Sequence, residues 1–232
     1  DLTSMPTNQW HSQAEEAREQ DNHLEALQLI EEALLAYQQT SDYQGFAQAL
    51  QSRCLTYKHL FLLSQDQAFA ILARHDAEAS LELAKLHDLT EMLGSSHFRL
   101  GEISMLFEDF PQAIKHYQQA LENYVGTNCE KGDYRYHLGE ALHRSGDKEV
   151  GLQQLQQGLK EIQDHRDEVD SFLANVWESG AHLRMADLLR DDDPEKAQQH
   201  LAAAEKIINS DSKLVIRKRQ LVELKQALES FN

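Results

Sequence analysis

A pattern of small and bulky residues recurs along the chain and limits what it can fold into. A small residue is followed by Ala, a bulky residue and Ala at offsets of 12, 16 and 19, in two segments that lie 87 residues apart. The residues are Ala14, Ala26, Ile30 and Ala33 in the first segment, and Gly101, Ala113, Tyr117 and Ala120 in the second. Two antiparallel helices pack closely only where the side chains at their crossing are small. The pattern therefore predicts helix hairpins that repeat along the chain.

The composition favours helix throughout. Only three prolines and ten glycines occur in 232 residues. Ala, Leu, Gln and Glu dominate, and these residues lose little side-chain freedom in a helix. Strand-forming runs of Val, Ile, Thr and aromatic residues are missing from the sequence. We therefore predict an all-α fold of about eleven helices, which form five pairs and one last helix.

Polar residues mark the expected starts of the second helix in four pairs. Asn22, with Glu25 three residues later, has the spacing of a capping box. Asp109 and Asp193 each stand shortly before a proline, and Asp147 follows a Ser-Gly turn. An acidic N-cap and an early proline are both typical of helix starts.

The pattern resembles the tetratricopeptide repeat (TPR), a family with small residues at repeat positions 8, 20 and 27 and large ones at positions 4, 7, 11 and 24. The third repeat matches best, and in the fourth Gly151 and Gly158 replace the two alanines. Position 8 is small in all five repeats, where it holds Ala14, Cys54, Gly101, Gly139 and Ala186. These residues are separated by 40, 47, 38 and 47 positions, which is typical of the longer TPR variants.

The resemblance implies a TPR-like α-solenoid, a right-handed superhelical array of antiparallel helix pairs. We expect a single array over residues 1–232, with repeats near 7–40, 47–88, 94–125, 132–165 and 176–208. A helix over 213–230 is charged on one face and apolar on the other, and it is expected to close the exposed end of the array.

The resemblance also implies where a partner binds. In the TPR family, peptides contact positions of the first helix of each pair, among them 5 and 9. Position 9 is acidic in four of the five repeats, and position 5 is apolar in the last three. The predicted partner-binding residues are Glu15, Phe98, Glu102, Tyr136, Glu140, Leu183 and Asp187. They predict a concave groove for a protein segment that carries Lys or Arg and a few hydrophobic anchors.

A second interpretation of the acids stays open. In the first and fifth repeats, Glu15 and Asp187 lie three residues before Arg18 and Arg190, so they can pair within their own helix. The acidic positions would then form a solvated face with no special partner.

The leading functional prediction is a scaffold or adaptor that recruits another protein. The alternative is the peptide-sensing domain of a larger signalling or transcriptional regulator. Because the sequence starts at Asp1 and not at Met, it leaves open a longer protein whose flanking domains carry an activity.

Several function classes are disfavoured. The formal net charge is −17, whereas nucleic acid requires clustered Lys and Arg. No nucleophile elbow, glycine-rich phosphate loop or other catalytic motif occurs, so we expect no enzyme activity and no cofactor. The twelve histidines show no HxxxH or HExxH spacing, and we interpret them as surface or groove residues, not metal ligands.

The chain shows no sign of export or of membrane insertion. No basic stretch followed by an apolar one opens the sequence, and no apolar run approaches the ~18 residues that span a bilayer. Cys54 and Cys129 are too few for a disulfide framework. We therefore expect reduced thiols and a cytoplasmic protein.

Overall fold

The computed structural model describes the backbone of residues 7–229 and the side chains of residues 9–229. This part of the chain forms eleven α-helices and no strand. The helices are α1 (Thr7–Glu19), α2 (His23–Thr40), α3 (Tyr43–Ser64), α4 (Gln67–Leu86), α5 (Thr90–Leu106), α6 (Phe110–Glu122), α7 (Asn128–Arg144), α8 (Lys148–Asp164), α9 (Ser171–Leu189), α10 (Pro194–Ser210) and α11 (Val215–Glu229). A 3-10 turn, Arg166–Glu168, lies between α8 and α9. The predicted all-α fold and its number of helices are confirmed.

The helices divide into two compact units. The first unit ends at Val125 and holds α1 to α6, and the second begins at Gly126 and holds α7 to α11. Within each unit an odd-numbered helix and the next helix form a hairpin, and consecutive hairpins pack on each other. The helix hairpins of the predicted repeat fold are therefore present in both units. The repeat boundaries and the single array over 1–232 stay predictions.

Small residues lie where the two helices of a hairpin cross. In the first unit Gly101 of α5 faces Tyr117 of α6, which is 1% exposed. A Cβ atom added at Gly101 would lie 2.6 Å from the Tyr117 ring, closer than atoms can approach. Ala113 and Ala120 on either side of Tyr117 have no exposed surface. The bulky ring thus fills the space that the small residues leave, as the sequence pattern predicts.

Glycine replaces alanine in the α7–α8 hairpin because its backbones approach more closely. A Cβ atom at Gly139 would lie 2.6 Å from the Leu155 amide nitrogen and 2.7 Å from the Gly151 carbonyl oxygen. A Cβ atom at Gly158 would lie 2.6 Å from the Gly132 carbonyl oxygen. Backbone atoms cannot move aside as a side chain can. The fourth repeat therefore has glycine where the pattern has alanine, because a Cβ atom would not fit between α7 and α8.

The predicted helix starts are correct in position, but not every side chain caps its helix. Asp109 and Asp193 accept hydrogen bonds from the amides of Gln112 and Lys196, as expected of N-caps. The predicted capping box at Asn22 is wrong, because the Asn22 side chain makes no capping bond. Its turn is closed by the backbone, where the Asn22 amide donates to the Ala17 carbonyl at 2.9 Å. The Asp147 side chain likewise makes no capping bond.

Every helix junction of the first unit uses a residue in the left-handed region. These residues have φ between 53° and 61°, and none of them is glycine: Asp21, Ser41, Gln65, Asp88 and Glu108. A left-handed residue after a helix lets the following amides bond to its last carbonyls. Tight turns of this kind hold consecutive helices antiparallel.

None of the helices over residues 7–229 combines the length and the apolar character needed to cross a membrane.

Candidate partner-binding site

A cavity of about 380 Å³ opens on the first unit, among the first helices of its three hairpins. Glu15 and Arg18 of α1, Gln51 and Ser52 of α3 and Arg99 of α5 contribute to its wall. We call it the α1–α3–α5 cavity. The TPR resemblance predicts partner binding on these same helices.

Arg18 is held rigidly in the wall of this cavity. Its Nη1 donates to Ser52 Oγ at 2.9 Å, and its Nε and Nη2 lie 3.3 Å from Glu19 Oε1. Only 6% of Arg18 is exposed. The prediction that Arg18 pairs with Glu15 is wrong, because its neighbour Glu19 and the α3 hydroxyl take up its donors instead.

A buried polar network lies behind Gln51. The Gln51 amide nitrogen lies 3.0 Å from the hydroxyls of Ser80 and Ser95 and 3.1 Å from that of Ser96. Ser80 and Ser96 are fully buried and 3.0 Å apart. Hydrogen-bonded polar groups in a core fix the positions of the helices that carry them. Gln51 is thereby held in place by both α4 and α5.

Glu15 is the most exposed of the four predicted acids, with 51% of its side chain accessible. His11 Nε2 lies 3.4 Å from its carboxylate. Burial raises the pKa of Glu15, but the hydrogen bond from His11 and the charges of Arg18 and Arg99 outweigh it, so the pKa is lowered overall. Glu15 therefore presents a negative charge to the α1–α3–α5 cavity at neutral pH.

Glu102 is enclosed by cations of its own unit. It is 5% exposed, and its carboxylate contacts Lys58 of α3 at 2.5 Å and Arg99 of α5. The two basic side chains come from consecutive first helices. The contact thus joins one hairpin to the next and leaves Glu102 little surface for a partner.

Glu140 and Asp187 belong to an ion cluster in the second unit. Arg144 of α7 bonds to Glu140 Oε1 with its Nε and to Asp187 Oδ2 with its Nη2, each at 3.0 Å. Arg184 of α9 donates from Nε to Glu140 Oε2 at 2.9 Å. Asp187 also lies 3.3 Å from Nη1 of Arg190, the residue that follows α9, which confirms the predicted pairing of these two residues. We call this group the α7–α9 ion cluster.

The three apolar candidates are core residues. Phe98 is 3% exposed, and its ring lies 5.5 Å from that of Tyr117 on α6. Tyr136 has no exposed surface and packs in the core of the second unit, where Leu183, at 6% exposed, belongs to a neighbouring cluster. Position 5 of the last three repeats therefore faces the interior of its unit and offers almost no surface to a partner.

The structure brings only some of the predicted residues together. Arg144 bonds to both Glu140 and Asp187. Arg99 contacts Glu102, and its charge lowers the pKa of Glu15. The sequence analysis did not predict that Lys58, Arg144 and Arg184 bind these acids. Their spacing was the available signal, because Lys58–Glu102 and Glu140–Arg184 are each 44 residues apart and Arg144–Asp187 are 43 apart.

Neither cysteine is placed for chemistry. Cys54 and Cys129 are free and buried. Burial raises the pKa of Cys54 strongly and that of Cys129 to about 11, so both stay protonated thiols at neutral pH. Over the side chains that the structure describes, no group of three or more His, Cys, Asp or Glu residues converges as metal ligands would.

Comparison with known proteins points to the same repeat. The SHNi-TPR family model matches residues 97–122, a segment that runs from the middle of α5 to the end of α6. No curated protein matches the chain significantly. The matched segment contains Gly101, Ala113, Tyr117 and Ala120, the residues whose packing closes the α5–α6 hairpin. TPR-type repeats typically have no enzyme activity and serve as protein–protein interaction scaffolds. The chain therefore contains a TPR-type repeat within an all-helical fold of packed helix pairs.

Proposed function

We propose that the chain is a protein–protein interaction scaffold that binds a segment of its partner in the α1–α3–α5 cavity. The cavity is the observation that carries this proposal, because it lies on the first helices of three consecutive hairpins. Its volume, about 380 Å³, lies within the usual range of ligand pockets. It can accommodate a few side chains of an extended segment, but not a folded domain.

We expect a polar segment with a basic side chain, because Glu15 supplies the acid of the wall and the two arginines there, Arg18 and Arg99, already pair with Glu19 and Glu102. Arg18 and Ser52 are fixed by their mutual hydrogen bond, and Gln51 is fixed by three serines. Wall groups that are already ordered lose little entropy when a ligand binds. Glu15 has the largest accessible fraction of the four predicted acids, so it is the one of them that a partner's Lys or Arg can reach.

The other three acids contribute less to this proposal. Glu102 is enclosed by Lys58 and Arg99, and Glu140 and Asp187 are bound by arginines. A partner's cation would have to displace one of these side chains. We therefore centre the proposed site on Glu15, and we assign the α7–α9 ion cluster to the stability of the second unit.

A selected peptide ligand tests the proposal. A random peptide library would be panned against the wild-type chain, and enriched peptides would be measured by fluorescence anisotropy. Glu15→Lys reverses the charge in the cavity. Glu16→Lys is the matched control, since Glu16 is an exposed neighbour on α1 outside the cavity wall and the change in net charge is the same.

We expect peptides enriched in Lys or Arg whose affinity falls about tenfold or more with Glu15→Lys, and stays near the wild-type value with Glu16→Lys. Enriched peptides that bind both variants equally well would contradict the assignment of the site. A library that yields no ligand for the wild type would contradict the proposed function itself.

A further inference from the structure

His11 lies in the wall of the α1–α3–α5 cavity beside Glu15. His11, Glu15 and Arg18 have the spacing i, i+4 and i+7, so they lie on one face of α1. His11 Nε2 lies 3.4 Å from Glu15 Oε1, and 13% of the His11 side chain is exposed, against 51% of that of Glu15. The ring is therefore more enclosed than the carboxylate that it contacts.

Tyr37 of α2 fixes the orientation of the His11 ring. The Tyr37 hydroxyl lies 3.2 Å from His11 Nδ1, and the two rings meet edge to face with their centroids 6.0 Å apart. Because a carboxylate only accepts hydrogen bonds, the neutral ring that suits both neighbours donates from Nε2 to Glu15 and accepts from the Tyr37 hydroxyl at Nδ1. Each nitrogen of His11 thus has a defined partner.

The other charged groups near His11 are few. Arg18 of α1 and Arg99 of α5 are the cations of the cavity wall, and each is paired with an acid of its own helix. Asp42, between α2 and α3, acts on the Tyr37 hydroxyl. The residues that α3 contributes to the wall carry no charge: Gln48, Gln51, Ser52 and Leu55. Glu15 is therefore the acid of the wall that a proton on His11 affects.

We propose that His11 makes the binding of a basic segment by Glu15 dependent on pH, an inference that rests on the proposed function of the cavity. The neutral ring orients the carboxylate and leaves its negative charge available to a Lys or Arg of the partner. A protonated ring forms an ion pair with the same carboxylate, so the partner's cation must compete with an internal one. Histidine is the side chain that ordinarily changes its charge between pH 5 and 8. Acidification over this range should therefore weaken binding.

The other groups of the contact keep their charge over this range. Burial raises the pKa of Glu15, but His11, Arg18 and Arg99 outweigh it, so the carboxylate stays ionised. Burial and two nearby acids raise the pKa of Tyr37, which stays a neutral phenol. Lys and Arg of a bound segment stay protonated. The change in charge at the cavity wall is thus assigned to His11.

A peptide selected against the wild-type chain, and free of His, Asp and Glu, tests the dependence by fluorescence anisotropy at pH 8 and pH 5.5. We expect the affinity of the wild type to fall about threefold or more at pH 5.5. His75→Gln, at an exposed histidine outside the cavity wall, should show the same fall. It is the control for the other histidines, whose distant charges are largely screened by salt.

His11→Gln separates charge from hydrogen bonding, because glutamine keeps a neutral donor. We expect it to bind like the wild type at pH 8 and to change by less than about twofold at pH 5.5. Loss of binding at pH 8 in this variant would overturn the proposal, since a neutral donor should suffice there. Circular dichroism checks the helix content, and His11→Asn takes its place if His11→Gln does not fold.

Equal affinity of the wild type at the two pH values would also overturn the proposal, and so would an equal fall in His11→Gln. In both cases a peptide still binds at pH 8, so the proposed function of the cavity remains. Panning that yields no peptide would refute that function and this inference with it.

Discussion

Arg144 on α7 bonds to Asp187 on the neighbouring first helix, α9, with 3.0 Å between its Nη2 and Asp187 Oδ2. Its Nε is turned back to Glu140 on its own helix, and Arg184 of α9 bonds to the same glutamate. Two consecutive hairpins are therefore joined by charges that the sequence alone presents as an acidic face. Glu140 and Asp187 therefore stabilise the packing of α7 on α9.

Replacing Glu140 should destabilise the second unit. Only 13% of the Glu140 side chain is exposed, so Glu140→Gln leaves Arg184 and Arg144 without their shared carboxylate. We expect a loss of about 2 kcal/mol in the free energy of unfolding, since breaking a largely buried ion pair strands the remaining charge. Urea unfolding measures it. Glu149→Gln, at an exposed position of α8, should change stability little, and equal losses in both variants would contradict this account.

The same carboxylate should make stability depend on pH. Burial by itself raises the pKa of Glu140, but Arg184, Arg144 and His137 outweigh it and lower the pKa to about 2. A lowered pKa in the folded state means that the contribution is complete above the unfolded value, near 4.5, and is lost as the pH falls toward 2. Unfolding at pH 5 and pH 3 should show a smaller difference in Glu140→Gln than in the wild type. An identical difference would show that another group is responsible.

Gly139 should not tolerate a methyl group. A Cβ atom there would lie 2.6 Å from the Leu155 backbone nitrogen, and Gly139→Ala should force α7 and α8 apart at a cost of about 2 kcal/mol or more. Thermal unfolding followed by circular dichroism measures the effect. Gln153→Ala, at an exposed position of α8, should be neutral or slightly stabilising, because Ala favours helix. A Tm for Gly139→Ala at or above that of the wild type would refute the close backbone contact.

Glu108 offers a stabilising substitution. It has φ of 56° and is exposed in the turn between α5 and α6. Because glycine adopts this conformation without steric cost, Glu108→Gly should stabilise the first unit by about 0.5 kcal/mol. Gln118→Gly, in the exposed interior of α6, should destabilise it by about 1 kcal/mol. Chemical denaturation measures the change in stability of each variant, and the two changes should have opposite signs. Changes of the same sign would contradict the prediction.

Neither thiol should react while the chain is folded. Cys54 and Cys129 are buried, and burial raises the pKa of both, so little thiolate is present at pH 8. Reaction with a chromogenic disulfide reagent should be slow for the native protein and should release two equivalents quickly in denaturant. Rapid labelling of the native chain would show that at least one cysteine is accessible.

Most of the fold could be predicted because its signals are local. Helix propensity, the acidic N-caps at Asp109 and Asp193, and the recurrence of small residues such as Gly101 each depend on a few positions within one hairpin. The candidate site was harder to predict. Repeat position 5 was expected to face a partner, yet Phe98, Tyr136 and Leu183 are packed in the cores of their units.

The sequence by itself determined that the chain forms helices and that they pair, because propensity and side-chain size act between near neighbours. The tertiary structure alone decided which acids are available to a partner. Glu15 stays half exposed at the α1–α3–α5 cavity, whereas Glu102 and Glu140 are bound by cations from helices about 44 residues away. Distant charges meet only after the hairpins have packed, so the ionic character of each face is a property of the folded units.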